Sequence, residues 1–484
     1  MLGVPLAACV LVAAGLPVRR VSVLAGLVNV VLALTVWAGY NTAQAGYQFV
    51  INKPWVQVQD FFTIHFHIGV DGINLPLVVL TSLVALAAAL MTPATVQREK
   101  EYHICLQLIA LGALGAFVSL DLFFLYAFHE VALIPTFIMI GVWGGQDRKH
   151  AAWQITVYLG VGSLILLAGL LALYFSVPVG LRTFDLAALS SALAPVDPGF
   201  QTWILLLVGV GAGILVSLWP FHSWAAPAYA AAPAPVSMLH AGVLKKFGLY
   251  LLLRLAVPYL PTAIQEYAPW ILVLLLGNVL IVGWITTAQK DLNLMLGFSS
   301  VMHMGFLFLG LATATLVGLS GVVVLMVAHG LSAALLFGLS GQIQERAGTT
   351  RLADLGGLAT RAPQLAFLFI LGGMASIGLP GLGNFAGEVM IFFGSWKSQP
   401  VVTTLVLWGV VLSAVYMIRA IRQVFYGPVS AGLGQAVDLS PAHRAACWVL
   451  ALPLLAIGLY PQLVTGPAEP ALRHLLRLRH LTGL

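Results

Sequence analysis

Two adjacent lysines, Lys245 and Lys246, stand in the middle of the apolar stretch LHAGVLKKFGLYLLLR, residues 239–254. Two glutamates have similar surroundings: Glu130 in FLYAFHEVALIPTF, with His129 beside it, and Glu388 at the end of GLPGLGNFAGE. His222, His240, His303 and His329 also fall in apolar runs. The chemistry these residue types share is uptake and release of a proton. Burial of a lysine or a carboxylate destabilises its charged form and moves its titration toward neutral pH. Histidine titrates near neutrality and can pass a proton between its two ring nitrogens. No two of the histidines have the spacing of a zinc-binding pair on one helix, so a metal site is not indicated.

The competing reading is an interhelical ion pair that carries no ion traffic, and for a single histidine it is a satisfied packing residue. Cost decides against that reading for the set. An ionised side chain at mid-bilayer costs roughly 2.5–3.5 kcal/mol even on the lenient insertion scale. A lysine stem of about 6 Å cannot reach across a hydrocarbon half-thickness of about 15 Å. Several such residues on separate spans therefore call for a bundle interior or a hydrated cavity. Lys245 and Lys246 lie about 100° apart around a helix and must meet different partners. Lys246 shares its face with Gly242 and Tyr250, and Lys245 shares its face with Ala241 and Gly248.

The elements that position these groups must lie in lipid. Of the 484 residues, 60% are hydrophobic and 8% are charged, far below the quarter that a water-facing surface needs. Cys9, Cys105 and Cys447 lie far apart, which excludes a disulfide framework and a cysteine-held cluster. No glycine-rich nucleotide loop occurs. The net charge of +6 resides in loops and gives no sign of nucleic acid.

Apolar runs long enough to span a bilayer predict about fourteen transmembrane helices, near 4–18, 21–40, 73–92, 102–120, 122–143, 153–176, 203–225, 235–257, 268–288, 291–312, 317–340, 363–398, 402–426 and 445–465. Loop charge orients them. Arg19, Arg20, Arg98, Lys100, Arg148, Lys149, Lys290, Arg346, Arg351, Arg361, Arg419, Arg422 and Arg444 fall on one side. Lys53, Arg182, Arg254 and Lys397, with Arg473, Arg477 and Arg479 in the tail, fall on the other. The richer side is cytoplasmic by the positive-inside rule, and the N-terminus is then outside. VSLWPFHSWAAP (216–227) and GLPGLGNFAGE (378–388) interrupt the seventh and twelfth spans. Two breaks five spans apart suggest two related halves, as in transporters built from inverted repeats. The expected organisation is spans 1–3 in residues 1–100, a first repeat of spans 4–8 in 101–257, a second of spans 9–13 in 268–426, and a last span with its tail in 427–484.

The stretches HFHIGVDGINLPLVVLTSL (65–83), PFHSW (220–224), AGVLKKFGLYLLLR (241–254), FSSVMHMGF (298–306), AHGLSAALLFGLSGQIQER (328–346) and GLPGLGNFAGEVMIFFGSW (378–396) resemble the M-type antiporter-like membrane subunit of respiratory complex I, NADH:quinone oxidoreductase. The resemblance covers most of the chain from about 65 to 426. It extends to hydrogenase membrane subunits and Mrp-type cation/proton antiporters. It implies an all-α polytopic fold with two inverted five-helix repeats and a hydrated charged axis at mid-membrane. It also implies proton translocation driven by electron transfer in other membrane-arm subunits, in a bacterial inner membrane. The chain itself would carry no redox centre and no cofactor. The family's fifth-span glutamate matches Glu130, its eighth-span lysine Lys246, its eleventh-span histidine His329 and its twelfth-span glutamate Glu388. Lys245 is then the extra lysine, and His222 and His303 complete the expected relay.

Three departures stand beside the match. The family's seventh-span lysine is Leu215 here, a loop lysine is Asn293, and polar residues after the tryptophan are replaced by AAPAYAAAPAP (225–235). The readings left open are a proton pump, a structural subunit whose channel is lost, and a subunit of a hydrogenase or cation/proton antiporter.

Overall fold

The computed structural model describes residues 1–44, 46–58, 62–192, 197–430 and 437–482. Among them, 11 helices are long and apolar enough to cross a membrane, and Gly3–Ala13, Asn74–Leu90 and Pro363–Ile377 are shorter apolar helices. Helices dominate because a segment in hydrocarbon must satisfy its own backbone groups. The chain is a multi-pass membrane protein. Short polar caps set many of the boundaries. Asp121 accepts the amides of Phe123 and Phe124, Asp291 that of Leu294, Thr315 that of Gly318 and Ser440 that of His443.

We label the helices that build the interior α1 (Asn74–Leu90), α2 (Leu122–Trp143), α3 (Pro198–Val216), α4 (Ala225–Ala231), α5 (Ala234–Tyr259), α6 (Pro261–Thr287), α7 (Leu292–Thr313), α8 (Leu316–Ala347), α9 (Pro363–Ile377), α10 (Gly383–Trp396) and α11 (Gln462–Thr482). Buried residues make up the whole central window of α5 and of α8, and 89% of that of α7. Of the other long helices, Glu99–Val118 is largely enclosed as well, and the rest keep exposed apolar residues on one side. The lysines, His303 and His329 thus lie on the three most enclosed helices.

Both predicted interruptions are present. The helix α3 ends at Ser217 in left-handed backbone, and helical structure resumes at Ala225. Asn278 on α6 holds this break together: its Oδ1 accepts the Trp219 amide at 2.6 Å, and its Nδ2 donates to the carbonyls of Ser217 and Val301 at 3.2 and 2.8 Å. Trp224 Nε1 donates to the Ile214 carbonyl at 3.1 Å, which also accepts the Ser217 amide, tying the indole to the end of α3. The second break runs from Gly378 (φ +86) through Gly381 (φ +93) to Gly383, between α9 and α10. A side chain at Gly378 would both strain the backbone and collide with the Glu388 carboxylate.

Three features add to the all-helical expectation or correct it. In the segment before α1, expected as a loop, β1 (Gln48–Val58) and β2 (Phe62–Val70) pair as an antiparallel hairpin, with Gln48 opposite Val70 and a register shift beside Pro54. Arg254, counted as a loop charge, is buried inside α5 and paired with Asp71 at the start of α1. The tail is the helix α11, whose buried stripe Val464, Ala468, Leu472 and Leu475 lies on the hairpin face of the bundle. It passes over Gly72, which touches the Pro467 carbonyl, and reaches Ala314, whose carbonyl accepts from Arg479 at 3.3 Å.

Candidate functional site

Two glycines let the backbones of α5 and α8 approach closely beside the lysines. A β-carbon on Gly330 would lie 2.6 Å from the Gly242 carbonyl oxygen, and one on Gly242 would lie 3.0 Å from that of Gly330. With no side chain between the backbones, the residue one turn beyond Gly242 reaches across. Lys246 Nζ lies 2.9 Å from His329 Nδ1 and donates to the Ala241 carbonyl of its own helix at 2.5 Å. Just ahead of the lysines, residues His240–Leu244 are wound as a π-helix. Such insertions are frequent at functional sites, because they re-aim side chains within an otherwise regular helix.

The two lysines diverge as their spacing requires. Lys245 Nζ approaches Ser300 Oγ on α7 at 3.4 Å and lies 5.6 Å from the ring centroid of Tyr229 on α4. Tyr229 OH in turn lies 3.2 Å from His240 Nδ1. The alanine-rich connection after the first break thus supplies an aromatic hydroxyl to the lysine region.

On α7, His303 is held at both nitrogens: Nδ1 is 2.7 Å from the Ser299 carbonyl and Nε2 is 2.8 Å from the Ser376 carbonyl, at the end of α9. A neutral imidazole has one N–H and can donate to only one of these oxygens, whereas the imidazolium donates to both. The His303 and His329 rings are 5.4 Å apart. Beside His329, the residues Ser299, Ser300, Ser332 and Ser376, with Leu296, Ala333, Leu336 and Phe337, line a cavity of about 10 Å³, room for one water. Ser332 Oγ accepts from Asn384 Nδ2 at 3.3 Å. Asn384 stands one turn before Glu388 on α10, so the two share a helix face. Glu388 is 3% exposed, and its Oε1 meets no protein donor among the described residues.

The first half of the axis is separate. Glu130 on α2 accepts from Ser163, whose hydroxyl also lies 3.1 Å from Tyr126 OH. His129 Nδ1 is 3.4 Å from Glu130 Oε1, and the His129 ring stacks on Phe247 at 4.2 Å, next to Lys246 in sequence. About a third of the Glu130 side chain (32%) is exposed at the side of the bundle. His222 lies half-buried in the first break. Of the expected relay residues, Lys245, Lys246, His303 and His329 therefore adjoin one cavity and its walls. Glu388 adjoins it through Asn384 and Ser332, while Glu130 and His222 stand apart. Leu215 is buried among apolar neighbours, and Asn293 accepts from Ser340 at 2.5 Å.

A profile of the NADH:quinone oxidoreductase/Mrp antiporter transmembrane family matches residues 119–415, which include every element of this axis. The chain belongs to that family. It is 31% identical over 459 residues to NAD(P)H-quinone oxidoreductase chain 4 of Gloeobacter violaceus, covering 93% of this chain and 86% of that one. It is 32% identical over 414 residues to NADH-quinone oxidoreductase subunit M of Rickettsia conorii, covering 85% and 83%. A chain of respiratory complex I from Thermus thermophilus superposes with a TM-score of 0.88 at 28% identity over 98% of both chains. A chain of the Mrp complex from Dietzia sp. shares the fold, with a TM-score of 0.84 at 20% identity over 99% and 98%.

Several groups of this family member escaped the reading of its sequence: Ser299, Ser300, Ser332, Ser376, Tyr229, Asn278 and Asn384. The usable signal was weak. Hydroxyls and amides in apolar runs repeat at FSSVMH and HGLS beside the histidines.

Proposed function

We propose that the chain is a proton-translocating membrane-arm subunit of a complex I-like quinone oxidoreductase, in a bacterial inner membrane with its N-terminus outside. Electron transfer in partner subunits supplies the energy, and this chain moves charge. The observation that supports the reading best is the contact of Lys246 with His329 beside a serine-lined cavity that leads toward Glu388. An ammonium and an imidazole nitrogen at 2.9 Å form a donor–acceptor pair between which a proton can move. His303, placed to donate from both nitrogens, is the next proton holder. The hydroxyls of Ser300 and Ser332, each able to donate and accept, connect these groups toward Asn384 and Glu388. Electrostatic coupling then provides the stroke: a proton arriving at one buried site changes the affinity of its neighbours. The expected test result is that Glu388→Gln abolishes redox-driven proton uptake into vesicles reconstituted with the whole assembly, while the assembly stays intact. Undiminished uptake would reject the reading.

Leu215 favours a second reading, in which the chain holds neighbouring subunits in line without pumping. Among the described residues the first-half carboxylate Glu130 has histidine and hydroxyl company, and position 215 brings no charge to it. Leu215→Lys separates the two. A rise in protons moved per electron marks a pump with a weakened route, and an unchanged ratio marks a route that does not pass position 215.

A further inference from the structure

A cavity of about 200 Å³ lies on the hairpin side of the bundle, over the buried ion pair of Asp71 and Arg254. Both residues line it, with Tyr47 and Tyr259 beside them. Its rim includes Gly46, Ala187 and His474, all exposed, so it opens toward water and has room for several molecules of it. Arg254 Nε meets no acceptor among the described residues. A buried pair repays its desolvation only when its remaining donors are satisfied, so packing alone calls for a sealed and fully bonded one. This pair instead forms the floor of a wettable space. It also connects inward. Lys246, Tyr250 and Arg254 stand at intervals of four on α5, which is regular α-helix from Lys246 to Leu251. The Arg254 guanidinium lies 5.0 Å from the Tyr250 ring. Tyr250 OH donates to the Phe117 carbonyl at 3.1 Å, and Asn74 Nδ2 donates to the same oxygen at 2.9 Å. Asn74 Oδ1 accepts the Asp71 amide at 2.8 Å. One hydrogen-bonded cluster therefore runs from a hydroxyl, one turn beyond Lys246, to the cavity floor.

We propose that this cluster is a proton outlet, an inference that rests on the pumping reading above. Tyr250 passes protons from the lysine region to Asp71, and Asp71 releases them through the cavity on the outer face. A phenolic hydroxyl can accept one proton on its oxygen while giving up its own. Asp71 takes the proton as an O–H on one carboxylate oxygen and loosens its hold on Arg254. It then gives that proton to a water of the cavity and returns to the carboxylate. The two charge-assisted hydrogen bonds to the guanidinium re-form, which draws the release forward.

The test measures protons moved per electron by the whole assembly in vesicles, with native gels to follow intact assembly. Tyr250→Phe keeps the ring against the guanidinium and removes only the hydroxyl. Asp71→Asn combined with Arg254→Met removes both charges together, so neither is left buried without its partner. Each variant should assemble and lower the ratio to that of Glu388→Gln. Tyr250→Phe decides alone if the double variant fails to assemble. A tie that serves only the fold predicts the parent ratio in both, and the parent ratio in either assembled variant overturns the outlet. Glu388→Gln separates the two levels of the argument. If it stops uptake while these variants pump as the parent does, the outlet falls and the pump stands. If it too keeps the parent ratio, the pumping reading falls and the outlet with it.

Discussion

Asp71→Asn probes the ion pair that ties the start of α1 to the far end of the lysine helix. Arg254 Nη1 and Nη2 donate to Asp71 Oδ2 and Oδ1 at 2.6 and 2.5 Å, and the two residues are 3% and 4% exposed. The guanidinium also lies 5.0 Å from the Tyr250 ring and 5.7 Å from that of Tyr47. Asp71 Oδ1 accepts the amides of Ile73 and Asn74 as well. Asparagine keeps an oxygen for those amides but leaves the guanidinium buried without its counter-charge. Breaking a buried pair from one side costs about 3–5 kcal/mol. Adding Arg254→Met removes the stranded charge and keeps most of the apolar stem, and such double replacements are often neutral. The double variant should thus recover at least about 2 kcal/mol, a coupling that only contacting residues show. Unfolding entropy per residue, taken over this length, converts about 1 kcal/mol into about 1 °C. The single variant should then lower the midpoint by about 3–5 °C. The measurement is loss of the intact assembly on native gels after graded heating. A single variant melting with the parent, or a double variant weaker than the single, refutes the reasoning.

Gly330→Ala places a methyl group 2.6 Å from the Gly242 carbonyl, so α5 and α8 must separate by several tenths of an ångström. The 2.9 Å contact of Lys246 with His329 should lengthen, and proton uptake per electron should fall while assembly persists; unchanged uptake would show that this contact does not carry the proton. Lys245→Met should lower the same ratio and leave quinone reduction without pumping measurable in opened vesicles. Full retention of the ratio would exclude Lys245 from the route.

Helix positions were legible because the bilayer imposes both length and hydrophobicity on them, and both breaks were legible because proline and glycine act on the backbone directly. The hairpin was not. Asn52, Lys53 and Pro54 stand together and break the alternation of the first strand, so between two spans the segment reads as loop, although His65 and His67 do alternate with apolar residues in the second. Arg254 was misplaced because its neutralising partner lies 183 residues away, where only the fold brings Asp71 to it. The serines were silent for a different reason. A hydroxyl in an apolar helix can satisfy itself on its own backbone, as Thr81 does on Leu77 and Ser82 on Val78. Ser332 does the same on His329, yet it and Ser300 also line a shared cavity between α7 and α8, which nothing in their sequence marks.

The adjacent lysines show how far spacing alone reaches. Their divergence followed from helical geometry, but its consequence depends on which helices stand on either side. Lys245 turns toward Ser300 on α7 and Tyr229 on α4, away from Glu130 on α2. It therefore does not restore a partner to Glu130 in place of the charge missing at position 215. Any compensation it provides acts on the second half of the axis, through the serine cavity. Lys245→Met should accordingly leave the environment of Glu130 unaltered, and Leu215→Lys should alter it. Infrared difference spectra of the carboxyl stretch, assigned with Glu130→Gln, can separate these outcomes. A Lys245→Met variant that shifts the Glu130 band as much as Leu215→Lys does would place the two lysine positions in one circuit and defeat this division.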